Sequence, residues 1–364
     1  MDILFAHNEK KGKEFIKKCI GKNPGFICVI GNTETAKIPG ISVAGANPEI
    51  TDFTPAADCE LLYFGECKCI PGVPITPDGI PTPALITMSA LNLLDLSKLV
   101  IIGGVRVYPQ IPYVEVGGSP GADIRTGKAV KNVKEVIARS ILLGENLAKY
   151  CTNLNYLVIG ESIAGGTTTT LGVLSAMGIE GKGKVSSSMP VNPHKLKEEI
   201  IELGLKAANL EFGSCKNDPI KAIECLGDPM IPACSGLVLG AGKKIPILLA
   251  GGTQMTSILA VVKAINPKIL NNLAIGTTRW IVKDEQSDIK GIVDQIGTIP
   301  ILAINLDFNK LKAEGLKAYE KDIAKEGVGA GGASIAAVLK NKDINTDTLL
   351  LEIEKNYELL IKKK

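Results

Sequence analysis

Five runs of apolar residues recur along the chain, and four of them end in glycine. They are FICVIG (26–31), LVIIGG (99–104), YLVIG (156–160), IPILLAGG (245–252) and TIPILAINL (298–306). Continuous runs of Val, Ile and Leu are typical of strands that are buried on both faces. Helical patterns lie between them, for example at 128–150 and 194–208. Strands that alternate with helices at this spacing predict an α/β fold with a doubly wound, mainly parallel sheet.

The two ends of the chain have a different pattern, because they are charged and helical. Segments 308–327 and 346–364 have this character, and so does the stretch that follows His7. We therefore expect a core domain over residues 21–309 and a small helical domain from residues 1–20 and 310–364.

Two Pro-rich stretches, 65–83 and 109–127, cannot form regular helices or strands, and long loops in a compact domain are usually functional. Either of them could close over a ligand.

Composition narrows the class of function. Hydrophobic residues make up 45% and charged residues 22% of the 364 residues, which predicts a packed globular core. The net charge is only +3 and aromatics are 4%, so binding to nucleic acid is not expected. The nine Cys are irregularly spaced and there are two His, which argues against a disulfide framework and a His-rich metal site. We expect no metal and no cofactor.

Membrane insertion and secretion are not expected either. The N-terminal stretch MDILFAHNEKKGKEF meets charged residues too soon for a secretory signal. The most apolar stretch begins at Ile245, but paired glycines and Gln254 interrupt it. This pattern predicts a strand, a turn and a helix rather than a membrane span. The expected location is the cytoplasm.

The stretch GESIAGGTTTT, from Gly160, resembles a phosphate-binding P-loop that lacks its lysine. The position where a P-loop has Lys is held by Gly166. Free N–H groups at the start of the following helix can bind an anion, and the threonines can cap the helix or bond to phosphate. Without the lysine, a monophosphate is favoured over a triphosphate. A tight strand-to-helix turn explains the same residues, and Glu161, which would repel phosphate, could face a ribose hydroxyl.

Two later glycine-rich turns could complete such a site. In AGGTQMTS, Gly251 and Gly252 could let the backbone approach a ligand, although close packing of a helix on the sheet explains them equally well. In KEGVGAGGASIAAVL, Glu326 opens a glycine-rich loop before an apolar helix. A desolvated carboxylate there would have a raised pKa and could take a proton near neutral pH. The alternative is a glutamate on a surface loop.

These three stretches, in this order, resemble the nicotinate-nucleotide–dimethylbenzimidazole phosphoribosyltransferase family of cobalamin biosynthesis. The matching segments are GESIAGGTTT from Gly160, GGTQMTSILA from Gly251 and KEGVGAGGASIAA from Lys325, and the resemblance spans roughly residues 130–340. This chain has Gly166 where the family has Asn, Gln254 where it has Glu, and Ile163 where it has Gly. The family's DHG stretch, which helps to bind the base, has no counterpart in this chain.

The resemblance implies a Rossmann-like α/β fold with a small helical domain from both chain termini, a homodimer and a metal-free reaction. It implies transfer of phosphoribose from nicotinate mononucleotide to a benzimidazole-type base, with Glu326 as the general base. The candidate substrate-binding residues are Gly160, Glu161, Ala164, Gly165, Gly166, Thr167, Thr168, Gly251, Gly252, Thr253, Gly327 and Gly329. A mononucleotide-binding regulator or partner subunit without catalysis is the alternative, because it would keep the phosphate turn but not need Glu326.

Overall fold

One sheet organises the molecule. The structure, a computed structural model, describes residues 2–43, 49–76, 78–151 and 153–363, so that Pro77 of the Pro-rich stretch 65–83 lies outside the described residues. The strands are β1 (Ile3–His7), β2 (Pro24–Gly31), β3 (Lys98–Gly104), β4 (Tyr113–Glu115), β5 (Tyr156–Ser162), β6 (Ile247–Ala250), β7 (Leu273–Thr278) and β8 (Ile301–Ile304).

The strand order is β1-β8-β7-β6-β5-β2-β3-β4. All neighbours are parallel except β1, which pairs with β8 in the antiparallel sense. The five apolar runs seen in the sequence form β2, β3, β5, β6 and β8. The predicted α/β fold with a mainly parallel sheet is therefore confirmed.

Helices cover both faces of this sheet. The α-helices are α1 (Glu9–Cys19), α2 (Thr54–Phe64), α3 (Ala84–Leu94), α4 (Val133–Tyr150), α5 (Gly166–Ala176), α6 (His194–Ala207), α7 (Pro219–Leu226), α8 (Met230–Ala241), α9 (Met255–Ile265), α10 (Arg279–Lys283), α11 (Ile289–Ile296), α12 (Ala330–Lys340) and α13 (Thr346–Ile361). Short 3₁₀ segments lie at Glu34–Lys37, Ile50–Phe53, Ile124–Thr126, Pro267–Asn272, Phe308–Lys310 and Leu316–Lys321.

The apolar strands divide the core into two layers. Along β2, Ile27 and Val29 pack into a cluster with α4, α5, α8 and α9. The alternate residues Phe26, Cys28 and Ile30 pack into a second cluster with α2, α3, α12 and α13. Side chains alternate between the two faces of a strand, so a run that is apolar throughout requires helices on both sides.

The order of the strands reverses beside β2. From β2 the chain proceeds to β3 and β4 on one side of the sheet, whereas β5 to β8 follow on the other side. In open α/β sheets, ligands bind in the crevice outside the carboxyl ends of the strands at such a switch point. The carboxyl ends of β2 and β5 are therefore where a site is expected.

The two ends of the chain are in contact. The Oδ1 atom of Asp2 accepts hydrogen bonds from Thr346 N at 3.0 Å and from Thr346 Oγ1 at 2.8 Å. Residues 3–7 belong to the sheet as β1, while α13 packs on α3. The division into a core of residues 21–309 and a helical domain from residues 1–20 and 310–364 remains a prediction. Among the described residues, no helix has the length and apolar character needed to cross a membrane.

Candidate active site

A cavity of about 670 Å³ opens at the carboxyl end of β5, the strand beside β2 at the switch point of the sheet. Its volume is typical of a site for a small molecule. Its lining residues come from within segments 41–58, 70–83, 161–167, 186–188, 252–254 and 323–328, together with Ile281. The Pro-rich stretch 65–83 thus supplies part of the wall, with side chains such as Val73, Ile75 and Ile80, and residues 109–127 do not contribute.

The start of α5 forms one polar part of the wall. Ala164, Gly165, Gly166 and Thr167 line the cavity. Gly165 precedes the helix at a φ of 75°, and no side chain caps the helix there. The first N–H groups of a helix have no acceptor within the helix, so this end can bind an anion. Thr168 is fully buried behind this wall, and its Oγ1 has no hydrogen-bond partner among the described residues.

The start of α9 forms a second part of the wall, next to a serine segment at residues 186–188. Gly252 and Gln254 line the cavity, as do the three serines. Thr253 lies behind them, and its Oγ1 accepts a hydrogen bond from Ser186 N at 2.9 Å. A Cβ on Gly251 would lie 2.6 Å from the side chain of Met255, so this glycine allows close packing inside the turn.

A buried lysine holds the serine segment in place. Lys197 Nζ donates to the carbonyl oxygen of Ser186 at 2.7 Å and to Asn192 Oδ1 at 3.0 Å. Burial, together with the nearby charge of Lys325, lowers the pKa of Lys197 to about 7. The side chain of Lys197 therefore gains or loses its positive charge near neutral pH, next to the serine segment that lines the cavity.

Glu326 also lines the cavity, four residues before α12 begins. Its carboxylate accepts hydrogen bonds from Gly331 N at 3.1 Å, from Gly327 N at 3.3 Å and from Thr277 Oγ1 at 3.3 Å. Burial nevertheless raises the pKa of Glu326 to about 7, because it outweighs these hydrogen bonds. A carboxyl group with this pKa, on the wall of a cavity, can accept a proton near neutral pH.

The loop that carries Glu326 is strained. Ala324, Lys325 and Val328 adopt positive φ values of 67°, 48° and 55°, which non-glycine residues rarely adopt. Such a conformation costs about 1–2 kcal/mol per residue. The loop is held by long-range hydrogen bonds, including Val328 N to the Glu161 carbonyl at 2.9 Å and Thr278 Oγ1 to the Lys325 carbonyl at 2.7 Å. Strain maintained by the surroundings is common at active sites.

An ion pair anchors the same loop from inside the protein. Lys325 Nζ contacts Asp284 Oδ2 at 2.9 Å, and the two side chains are only 1% and 0% exposed. Asp284 also accepts hydrogen bonds from Gln286 N and Ser287 Oγ, each at 3.0 Å. Lys325 also lines the cavity, and its charge is neutralised by Asp284. The ion pair therefore fixes the residue that precedes Glu326.

Three further buried carboxyl groups have raised pKa values, and of these Glu161 and Asp58 line the cavity whereas Asp228 does not. Burial, reinforced by the charges of Asp228 and Glu326, raises the pKa of Glu161 to about 8. Burial raises the pKa values of Asp58 and Asp228 to about 6, against hydrogen bonds that lower them. Asp58 accepts hydrogen bonds from Ser162 Oγ at 2.7 Å and from Thr82 Oγ1 at 2.8 Å. Glu161 is thus largely protonated at neutral pH and would not repel a phosphate.

The structure brings most of the predicted site residues together. Those that line the cavity are Glu161, Ala164, Gly165, Gly166, Thr167, Gly252, Glu326 and Gly327. Gly160, Thr168, Gly251, Thr253 and Gly329 do not line it. Gly160 and Gly329 have a packing role, because a Cβ on Gly160 would lie 2.9 Å from Gly329 Cα where β5 meets the start of α12.

Several lining residues were not predicted from the sequence. They are Asp58, Ser162, the serines at 186–188, Lys325 and the apolar side chains of the Pro-rich loop. The run SSS before Met189 and the lysine next to Glu326 were visible signals. Asp58 gave none, because it contacts Ser162 across 104 residues of sequence.

The chain shares its fold with solved structures of low sequence identity, whereas its family is shown by relatives of much higher identity. No model of a known protein family matches the chain. A solved structure of CobT from Thermus thermophilus matches it with a TM-score of 0.60 at 15% identity, over 96% of this chain and 89% of that chain. A structure of a nicotinate-nucleotide-dimethylbenzimidazole phosphoribosyltransferase from the same organism matches with a TM-score of 0.58 at 15% identity, over 96% and 88% of the two chains. The resemblance noted in the sequence is thus confirmed as a shared fold.

Close relatives are found among archaeal proteins. A UPF0284 protein of Sulfolobus acidocaldarius is 46% identical over 353 residues, which cover 95% of this chain and 99% of the relative. A UPF0284 protein of Methanothermobacter thermautotrophicus is 44% identical over 318 residues, 86% of this chain and 87% of the relative. Identity at this level along nearly the whole length shows common descent, and the chain belongs to the UPF0284 family.

Proposed function

We propose that this protein is a phosphoribosyltransferase that moves the ribose phosphate of nicotinate mononucleotide to a benzimidazole-type base. The observation that carries the proposal is the position of Glu326. Its carboxyl group, with a pKa of about 7, lies on the wall of the same cavity as the uncapped start of α5. An anion site and a base in one cavity, on the fold of the solved phosphoribosyltransferase, are the parts that this reaction needs.

Each substrate has a matching part of the cavity. The single phosphate would bind at the N–H groups of Gly165, Gly166 and Thr167. This turn has no lysine that could bind the outer phosphates of a longer phosphate chain. The flat, apolar base would lie against the Pro-rich segment, whose lining side chains include Val73, Ile75 and Ile80. Protonated Glu161 could donate a hydrogen bond to a ribose hydroxyl.

The chemical step then balances without a metal. A ring nitrogen of the benzimidazole forms a bond to C1′ of the ribose, and the bond from C1′ to the pyridinium nitrogen breaks. The electron pair of that bond leaves with nicotinate, which becomes a neutral pyridine ring. The proton on the other nitrogen of the base passes to the Glu326 carboxylate and from there to water. Attack opposite the leaving group gives the α-configured ribotide.

The proposal is tested by incubating the protein with nicotinate mononucleotide and a panel of benzimidazoles. Free nicotinate and a ribotide of the added base, separated by chromatography and identified by mass, are the expected products. Binding of the mononucleotide without turnover of any base would favour a regulator or partner subunit instead. We also propose that the enzyme is a homodimer in the cytoplasm, and sedimentation would test the oligomeric state.

A further inference from the structure

The side chain of Gln254 lies in the space that a side chain at position 166 would occupy. A Cβ built on Gly166 would be 2.0 Å from Gln254 Nε2 and 3.1 Å from its Cδ. Gln254 is the residue just before α9, whereas Gly166 is the first residue of α5. Its carboxamide therefore reaches from the start of one helix to the start of the other, and only a glycine at 166 leaves room for it.

The carboxamide of Gln254 is available to a ligand. Gln254 lines the cavity, and its backbone carbonyl accepts hydrogen bonds from Ser257 Oγ at 2.8 Å and Thr170 Oγ1 at 3.4 Å. Within the described residues its side-chain amide has no hydrogen-bond partner. A carboxamide has two N–H donors. Here they lie beside helix N–H groups that are themselves suited to an anion.

Two departures from the related phosphoribosyltransferase pattern meet at this point. Gly166 replaces an amide side chain, and Gln254 replaces an acidic one. Because the carboxamide of Gln254 fills the space left by Gly166, the two changes compensate each other. An amide group is kept at the start of α5, but it now comes from α9, and the negative charge at position 254 is absent.

We propose that Gln254 is a specificity-determining residue that donates a hydrogen bond from Nε2 to the phosphate of the mononucleotide. This inference rests on the proposed function. The amide adds a donor to the N–H groups of α5 without the charge of a lysine, and so it suits a monophosphate. It selects the nucleotide over the corresponding nucleoside, which lacks the phosphate.

The test compares the binding of nicotinate mononucleotide and nicotinate riboside by calorimetry. Gln254→Ala should weaken mononucleotide binding about 10- to 100-fold, the worth of a hydrogen bond to a charged group. Gln254→Glu should weaken it at least as much, because a carboxylate repels the phosphate. Riboside binding should change less than about threefold. Gln110→Glu is the matched control, since Gln110 is exposed and does not line the cavity.

A double-mutant cycle tests the shared space. Gly166→Ala alone should also weaken mononucleotide binding, because its Cβ displaces the carboxamide. In the Gln254→Ala background the same change should cause little further loss, since the carboxamide is then absent and the nearest remaining side-chain atom, Ile163 Cγ2, is 3.1 Å from the Cβ. Alanine is also the better helix former, so misfolding of this double variant is not expected.

Each outcome decides a different point. If the parent binds the mononucleotide and both Gln254 variants bind it equally well, the role of Gln254 is refuted and the proposed function is not affected. Equal losses for nucleotide and riboside would also refute it, because Gln254 would then only shape the cavity. If the parent binds no mononucleotide, the proposed function fails and this inference fails with it.

Discussion

Replacing Glu326 with glutamine would separate the basicity of this side chain from its shape. Glutamine keeps an oxygen that can accept the hydrogen bonds from Gly331 N and Gly327 N, but it cannot take up a proton. A positioned general base is worth about 10²- to 10⁴-fold in rate. At about 1.36 kcal/mol per factor of ten, this corresponds to roughly 3–5 kcal/mol of the activation barrier. We therefore expect kcat and kcat/KM to fall together by this factor.

Stability provides the internal control for this variant. The pKa of Glu326 is raised from 4.5 to about 7, so the free energy of unfolding falls as the pH rises between these two values, and the loss is complete above about 7. At about 1.36 kcal/mol per pKa unit, its removal should raise the free energy of unfolding at pH 8 by roughly 3 kcal/mol. At pH 4, where the carboxyl group is protonated, glutamine should have little effect. Lost activity in a protein that is at least as stable cannot be attributed to misfolding.

The assay is steady-state release of nicotinate as a function of pH, with mononucleotide binding measured by calorimetry. Parent kcat/KM should rise with pH through about 7 as Glu326 ionises, and this rise should be absent in Glu326→Gln. Mononucleotide affinity should be little changed. Glu285→Gln makes the same chemical change at an exposed residue outside the cavity and serves as the control. Turnover at the parent rate by Glu326→Gln would refute the assignment of the base.

Substitutions at Gly165, Lys325 and Glu161 test other parts of the site. Gly165→Val should abolish mononucleotide binding, because a β-branched residue is strained at a φ of 75° and its Cβ would lie 3.0 Å from Ala36 Cα; unchanged affinity would contradict an anion site there. Lys325→Met should destabilise the protein by roughly 3–5 kcal/mol, because it leaves Asp284 buried without its cation, and a denaturant midpoint equal to that of the parent would contradict this. Glu161→Gln should flatten the fall in the free energy of unfolding between pH 4.5 and about 8. The reason is that the unfolded chain ionises at Glu161 from pH 4.5 upwards, whereas the folded protein does so only near pH 8. Curves of melting temperature against pH that run parallel for the parent and the variant would contradict this prediction.

The sequence predicted the strands with long apolar runs better than the two edge strands of the sheet. The long apolar runs of β2, β3, β5, β6 and β8 are unambiguous because helices bury both of their faces. The edge strands β1 and β4 lack such a run, because most of β1 is only half-buried and both ends of β4 are exposed. Strand β1 is fixed by pairing with a strand far away in the sequence, as when Ile3 pairs with Ile304. Such pairing is a tertiary effect that local propensity does not contain.

The sequence indicated those site residues that have a recognisable residue type and also lie just after the carboxyl end of a strand or before a helix. Glycines at the ends of strands and the glutamate before α12 gave signals, because parallel strands bring their carboxyl ends to one edge of the sheet. The roles of Asp58 and Lys197 depend on contacts that only the folded chain creates, with Ser162 in one case and with Ser186 in the other. The glycines at 160 and 329 were ambiguous, since close backbone packing and ligand binding favour the same residue.

The most direct test of the account is a time course that quantifies both products of one reaction. Nicotinate mononucleotide and 5,6-dimethylbenzimidazole are incubated with the protein, and nicotinate and the ribotide are measured together. We expect the two products in a 1:1 ratio, nicotinate release that depends on the added base, and a ribotide whose C1′ is α-configured by NMR. Release of nicotinate without the ribotide, or no release with any benzimidazole, would contradict the proposal that this cavity transfers phosphoribose.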